Sequence, residues 1–297
     1  MPKDGNIWRF SFRRSYMRVV SWNIHWGCGR DGRIRIHAII DVLRKLNPDV
    51  ICLQEVAANH PELEGSASAN QFKQLAGAFG GYHAVEYAPS EIYRNNVPRL
   101  FGNLILSKFR ITQAHRHLLP WPADPAHSPG MPRGAIEVVL DTPRSKLRLV
   151  TTHLEYHSQL QRSAQVRRLR ELHAQACARA RVFQPNPDMD APYQLGLLPD
   201  SAIYCGDFNL QPESPEYAEL IAPAAEGELA LVDAWRARHP DHARAPTAGL
   251  HGFAWPEKPD CYDYFFVTED LVPRIAEIEV QSETSASDHQ PIVLDLV

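Results

Sequence analysis

A chain of 297 residues with 44% hydrophobic content is long enough to bury a sizeable core, as one large domain or two small ones. Its 31 Lys and Arg against 35 Asp and Glu leave a formal net charge of −4, which weighs against nonspecific nucleic-acid binding by bulk charge but permits a local grip on a few phosphates. No stretch approaches the ~20 apolar residues of a membrane span, and "MPKDGNIWRFSFRRSYM" lacks the apolar block of a signal peptide, so a cytoplasmic protein, monomeric by default, is expected.

In chain order, residues 1–16 read as an N-terminal extension and 17–297 as a single domain. "MRVVSWN" (17–23) is a β-branched run, "IRIHAIIDVLRKL" (34–46) has helical apolar spacing, and "DVICLQE" (49–55) reads as a strand buried on both faces. "ANQFKQLAGAF" (69–79) predicts a second helix, followed by strands at 82–87, 101–107, 134–140 and 147–154. The stretch 159–182 is the longest helical pattern, and its Arg-rich face reads as a solvated amphipathic surface. Further elements are predicted at 201–207, 217–222, 231–239, 261–267, 275–280 and 291–297. The Pro-rich segments 118–133 and 184–199 read as long loops. Cys28, Cys52, Cys177, Cys205 and Cys261 are odd in number and form no C-x-x-C pair, so they read as reduced thiols.

Several of these strands end in groups that bind cations or phosphate where ordinary turn residues are expected. Asn23 follows "VVSW", Glu55 follows "VICLQ", His153 follows "LVTT", Asp207 and Asn209 follow "AIYCG", and Asp288 and His289 precede "QPIVLDL". Alternation along an extended segment would set Asp207 and Asn209 on one face and Phe208 on the other. Each residue taken alone has a structural reading, as a turn former, a cap or an ion-pair partner. Together they read as one site on the rim of a layered fold.

"SWNIHWG", "LQEV", "GNLILSK", "TTHLEYH", "GDFNLQPES", "YDYFFV" and "SDHQPIVLDL" resemble, in this order, the signature segments of the endonuclease/exonuclease/phosphatase superfamily. The resemblance runs from Met17 to the C-terminus. It implies an α+β fold, a DNase I-like four-layer αββα sandwich of two mixed β-sheets packed face to face with helices outside. It also implies a metal-dependent hydrolase of phosphoester bonds acting on nucleic acid or on a small or lipid phosphodiester. Asn23, Glu55 and Asp288 then take the metal positions, with Mg²⁺ as the expected ion and Mn²⁺ as a substitute, a hard cation suited to oxygen ligands. Asp207 takes the position that orients or deprotonates the attacking water, and Asn209 binds a phosphate oxygen beside it. His289 donates to the phosphate or acts as acid or base, oriented by Asp263, and His153 contacts the phosphate or assists the leaving group. Glu86 is a further expected partner, orienting His153.

The sequence departs from some branches of that family. Abasic-site endonucleases usually carry an aspartate where this chain has His25, and "GDFNLQ" differs from the "GDLNYR"-like segment of the inositol polyphosphate 5-phosphatases. "HWGCGRDGRIRIHAI" and "PRGAIEVVL" look like bacterial members with no assigned substrate. Two alternatives belong to other classes. A non-catalytic binding protein on the same scaffold would be expected to have lost part of the residue set. A zinc hydrolase would draw on His153 and His157, but no H-E-x-x-H pattern is present.

Overall fold

The computed structural model describes residues 16–126, 129–194, 196 and 198–297. The expected N-terminal extension, residues 1–16, lies outside the described residues apart from Tyr16.

Two mixed sheets pack face to face. The first runs β12 (Ile275–Val280), β13 (Ile292–Leu296), β1 (Met17–Asn23), β2 (Val50–His60), β5 (Val97–Ser107) and β4 (His83–Arg94), with β3 (Ala67–Asn70) paired to β2. The second runs β10 (Leu231–Asp233), β11 (Asp263–Thr268), β9 (Ala202–Asp207), β8 (Lys146–His153), β7 (Gly134–Asp141) and β6 (Arg110–Leu118). Alternation decides which side chains enter which layer. Val19, Cys52 and Ile105 of the first sheet meet Val138, Leu149, Cys205 and Phe265 of the second in the central core. The neighbouring Val20, Ile51 and Leu53 point outward, where α1 (Ile36–Leu46) and α2 (Gln71–Ala78) cover them with Ile39, Leu43, Phe72 and Leu75. On the other outer face, Val150, Tyr204 and Phe266 pack under α3 (Gln159–Val182) and α4 (Pro215–Leu220) through Val166, Leu169, Tyr217 and Leu220. The result is the four-layer αββα sandwich. All five cysteines are buried free thiols.

The helix ends follow local chemistry. Asn70, Ser158 and Ser214 cap α2, α3 and α4 by accepting from Lys73, Gln161 and Tyr217 amides, and Pro215 occupies a first-turn position where no donor is needed. Part of the Arg-rich face of α3 is structural, because Arg170 donates to the carbonyls of Glu219, Leu220 and Ala222 at the end of α4. The stretch 231–239 divides into β10 and α5 (Ala234–Arg238), with Asp233 accepting from the amides of Trp235 and Arg236. Strand β6 lacks a counterpart in the sequence reading. It is an edge strand with mostly exposed side chains, so its residues carry little apolar alternation.

Candidate active site

One parallel pair in each sheet sets the site. Strands β1 and β2 run parallel, as do β8 and β9, and antiparallel β13 and β11 begin beside the ends of β1 and β9. The register places Asn23 opposite Gln54, His153 opposite Asp207, and Asp207 opposite Asp263. Strand ends distant in sequence therefore arrive at one rim. Gln54 Nε2 donates to Thr151 Oγ1 at 2.9 Å, tying the two sheets together just behind it.

Local backbone features aim the side chains. A register shift between Leu53 and Val56 interrupts the β2–β5 pairing, and Glu55 within it has φ 57°. The irregularity takes Glu55 out of the strand's alternation. At Gly206, φ is 136° and a Cβ would run into the backbone carbonyl of Thr152, so only glycine admits this close approach of β9 to β8. The alternation expected for Asp207 and Asn209 does not operate: β9 ends at Asp207, and Asn209 turns the chain at φ 50°. Asn209 instead donates through Nδ2 to the Leu154 carbonyl at 2.9 Å, while its amide N donates to Asp207 Oδ1 at 2.9 Å.

A cavity of about 620 Å³ opens over this rim, and Glu55, His153, Asp207, Asn209, Asp288 and His289 line it. Asn23 and Asp263 are buried directly behind them. Asn23 Nδ2 donates to Glu55 Oε1 at 3.0 Å and to Asp207 Oδ2 at 2.9 Å, linking the two carboxylates through one amide. His289 Nδ1 lies 2.7 Å from Asp263 Oδ2, with Nε2 turned toward Asp207 Oδ2 at 3.7 Å. His153 Nε2 is 3.5 Å from Asp207 Oδ2 and 3.9 Å from Glu55 Oε1, closer to a gap for a ligand than to a strong hydrogen bond. Glu86 does not orient His153: it is exposed on β4, where its carbonyl accepts from Arg116 Nε.

Burial governs the electrostatics. It pushes the Glu55 carboxyl up, opposed by the His25 charge and reinforced by Asp288. The same desolvation raises Asp207, against the pull of His289. Burial alone would lower His289, but the carboxylates of Asp263 and Asp207 outweigh it and hold the imidazole well above its ordinary range. His153 moves the opposite way, lowered by burial and then by the charges of Arg133 and His289.

Two buried carboxylates pushed upward are the chemistry that a cation relieves. Glu55 Oε2 is buried without a hydrogen-bond partner among the described residues, and the oxygen ligands nearby suit a hard divalent ion. Asp207, Asp263 and His289 also have ligand atoms within 4.8 Å of one another. In that group, however, Asp263 already occupies Nδ1 of His289 at 2.7 Å and orients the ring, while Nε2 stands 3.7 Å from Asp207 Oδ2, beyond hydrogen-bond distance.

The structure places further residues around this set. Arg133, from "PRGAIEVVL", is buried at the cavity and donates through Nε to Glu155 Oε2 at 3.2 Å. Glu155, two residues past His153, is fully buried and also accepts the His157 amide. Thr247 Oγ1 donates to Asp263 Oδ2 at 2.6 Å. Trp255 stacks on His289 at 5.4 Å between centroids. Strand-end position and residue chemistry marked the principal set, whereas these supporting groups come from loops whose spacing carries no signal.

Residues 20–289 match the model of the Endonuclease/Exonuclease/phosphatase family. No curated protein matches the chain by sequence. Among solved structures, the endonuclease/exonuclease/phosphatase of Beutenbergia cavernae DSM 12333 is similar at 22% identity and TM-score 0.68, over 95% of this chain and 71% of that one. The human Nocturnin catalytic domain with bound sulfate anion is similar at 19% identity and TM-score 0.62, over 96% and 94%. TDP2 of D. rerio complexed with single strand DNA product is similar at 17% identity and TM-score 0.62, over 95% and 99%. These likenesses show a shared fold.

Proposed function

The chain belongs to the endonuclease/exonuclease/phosphatase family, and from that premise we propose that it is a metal-dependent hydrolase of phosphoester bonds in nucleic acid or in a small or lipid phosphodiester. Residues 17–297 form the family domain in this reading, and residues 1–16 are an extension. The observation that carries it is Asn23 bridging Glu55 and Asp207, with the remaining Glu55 oxygen buried and without a partner among the described residues.

Glu55 and Asp288, with Asn23 beside them, would hold Mg²⁺ or Mn²⁺, which would neutralise phosphate charge and polarise the departing oxygen. Asp207 orients the attacking water and accepts its proton, a role favoured by a carboxyl that burial has made more basic. Asn209 keeps one amide hydrogen free after its bond to Leu154 and presents it to a phosphate oxygen without adding charge. His289, fixed by Asp263 at Nδ1, donates from Nε2 to the anion. Neutral His153 offers a second imidazole edge to the phosphate or leaving oxygen. Arg133 supplies a fixed positive charge, steadied by Glu155.

The sulfate in the Nocturnin structure and the DNA product in the TDP2 structure support an anionic, phosphate-bearing ligand for this scaffold. A non-catalytic binding protein fits less well, because it has no use for a water-orienting carboxylate beside an Asp-oriented histidine. The test is turnover of bis-p-nitrophenyl phosphate with Mg²⁺ or Mn²⁺. Wild-type protein is expected to show metal-dependent hydrolysis that Glu55→Gln and His289→Ala lose. Equal rates in all three proteins would refute the reading.

A further inference from the structure

Beyond its polar floor, the cavity has an apolar wall. Trp26, Leu63, Phe101 and Met131 pack together at its edge, with the Trp26 and Phe101 rings 6.1 Å apart. His25 joins wall to floor: Nδ1 lies 3.7 Å from Asp288 Oδ1, and its ring centroid is 4.0 Å from that of Trp26.

The chain holds Trp26 there against its backbone preference. His25 and Trp26 have φ of 45° and 41°, a left-handed conformation that aromatic residues seldom adopt. Surrounding hydrogen bonds fix it. His25 N donates to Asn23 Oδ1 at 3.0 Å, and Gln71 Nε2 donates to the Trp26 carbonyl at 2.7 Å. Trp26 Nε1 donates to the Glu64 carbonyl at 3.0 Å. With its one donor engaged, the half-buried indole offers the cavity a ring surface and no hydrogen bond. Strain at the wall of a cleft is an outlier of the kind found at ligand sites.

Charge points the same way. Arg133 is the one Lys or Arg lining the cavity among the described residues, whereas gripping a polynucleotide takes several cations along the strand. The 620 Å³ volume falls in the range, about 300–1,000 Å³, that holds small-molecule ligands. Resting on the phosphoesterase reading above, we propose that the substrate is a small phosphoester bearing one apolar, ring-sized group, which seats against Trp26, Leu63 and Phe101. An extended polynucleotide does not fit this description.

Benzylphosphonate and methylphosphonate share the anion and differ in the ring, so their competition against bis-p-nitrophenyl phosphate turnover in Mg²⁺ buffer isolates the wall. Benzylphosphonate is expected to inhibit wild type at about tenfold lower concentration or better. In Trp26→Gly, which suits the left-handed backbone, and in half-buried Leu63→Asn, the ratio should drop to about threefold or less. A ten-nucleotide thymidylate strand at about 0.15 M salt should inhibit no better per phosphate than methylphosphonate. Equal inhibition of wild type by the two phosphonates, a ratio unchanged in both variants, or stronger inhibition by the strand than by benzylphosphonate overturns the proposal. Absence of any turnover counts against the parent reading instead, and tryptophan fluorescence quenching by the two phosphonates then gives the same ratio without catalysis.

Discussion

His289 Nδ1 sits 2.7 Å from Asp263 Oδ2, and Thr247 Oγ1 reaches the same oxygen at 2.6 Å. Asp263 can serve both donors only as an acceptor, which fixes the Nδ1 proton on the ring and leaves Nε2 facing the cavity. Asp263→Asn offers a neutral amide in place of the carboxylate that helps keep both ring nitrogens protonated, so the ring loses the cationic character with which Nε2 donates to the anion. Turnover of bis-p-nitrophenyl phosphate is expected to fall about 10²–10⁴-fold in kcat, with a smaller change in KM. Steady-state kinetics on folded variant protein checks this, and an unchanged kcat would separate Asp263 from the chemistry.

Arg133 and Glu155 form a buried pair, with side chains 8% and 0% exposed. The guanidinium can hold Glu155 with one edge and face the cavity with the rest, which a lysine ammonium cannot do. Arg133→Lys is therefore expected to lower kcat/KM about 10–100-fold through weaker phosphate binding, appearing mainly in KM. Arg133→Met leaves Glu155 buried without its cation and should also cost about 3–5 kcal/mol of stability. Kinetics and urea unfolding of both variants distinguish the two roles. A Lys variant with wild-type KM would confine Arg133 to structure.

Much of this arrangement is legible in the sequence because continuous apolar runs such as "VICLQ" and "AIYCG" form strands buried on both faces, and a polar group ending such a run stands out. The four layers are legible only through the family resemblance of those segments, because the runs and helical patterns by themselves do not say how the strands divide between two sheets. Edge strand β6 is not legible, since its side chains are largely exposed and its pattern is weak. Arg133 and Glu155 meet across 22 residues at the open end of the antiparallel β7–β8 pair, and no local periodicity encodes that contact. Glu55 is readable as a site residue, but the register shift that aims it is a property of its pairing with β5. The Asp207 and Asn209 relationship was readable in kind and wrong in cause, because a left-handed turn replaces the expected strand alternation.

Gly206 sharpens that last point into a stability measurement. An alanine there must adopt φ 136° and fit a methyl group against the Thr152 carbonyl, which belongs to backbone and cannot rotate away. Gly206→Ala is expected to destabilise the fold by about 2–5 kcal/mol, combining dihedral strain and overpacking. Because Thr152 and Gly206 adjoin His153 and Asp207, surviving protein should also show reduced turnover. Chemical unfolding within 0.5 kcal/mol of wild type, roughly the scatter of neutral surface changes, would mean the two strands separate easily.

Away from the cavity, Glu137, Arg148 and His173 make the fold sensitive to acid. Glu137 Oε2 meets His117 Nε2 at 2.8 Å, and Oε1 lies 3.1 Å from Arg148 Nε. Burial would raise the Glu137 carboxyl, but the His117 hydrogen bond and the Arg148 charge outweigh it and place its titration below the ordinary 4.5. His173 is lowered from 6.5 by burial first and by the Arg148 charge, against the opposing Leu229 carbonyl. Arg148 donates to His173 Nδ1 at 3.2 Å while Nε2 faces the Leu229 carbonyl at 2.7 Å, a pattern that requires the neutral ring. Both groups are harder to protonate folded than unfolded, so acid favours the unfolded chain. The His173 contribution is complete above its unfolded value of 6.5 and declines as pH falls below it; that of Glu137 is complete above 4.5 and declines as pH falls toward its lower folded value. Urea midpoints should therefore drop from about pH 7.5 to 5.5 and again to 4. His173→Gln should flatten the first decline, whereas Glu137→Gln should flatten the second while costing about 3–5 kcal/mol at neutral pH. A midpoint constant over this range, or acid slopes unchanged in both variants, would remove these groups from the stability of the sheet.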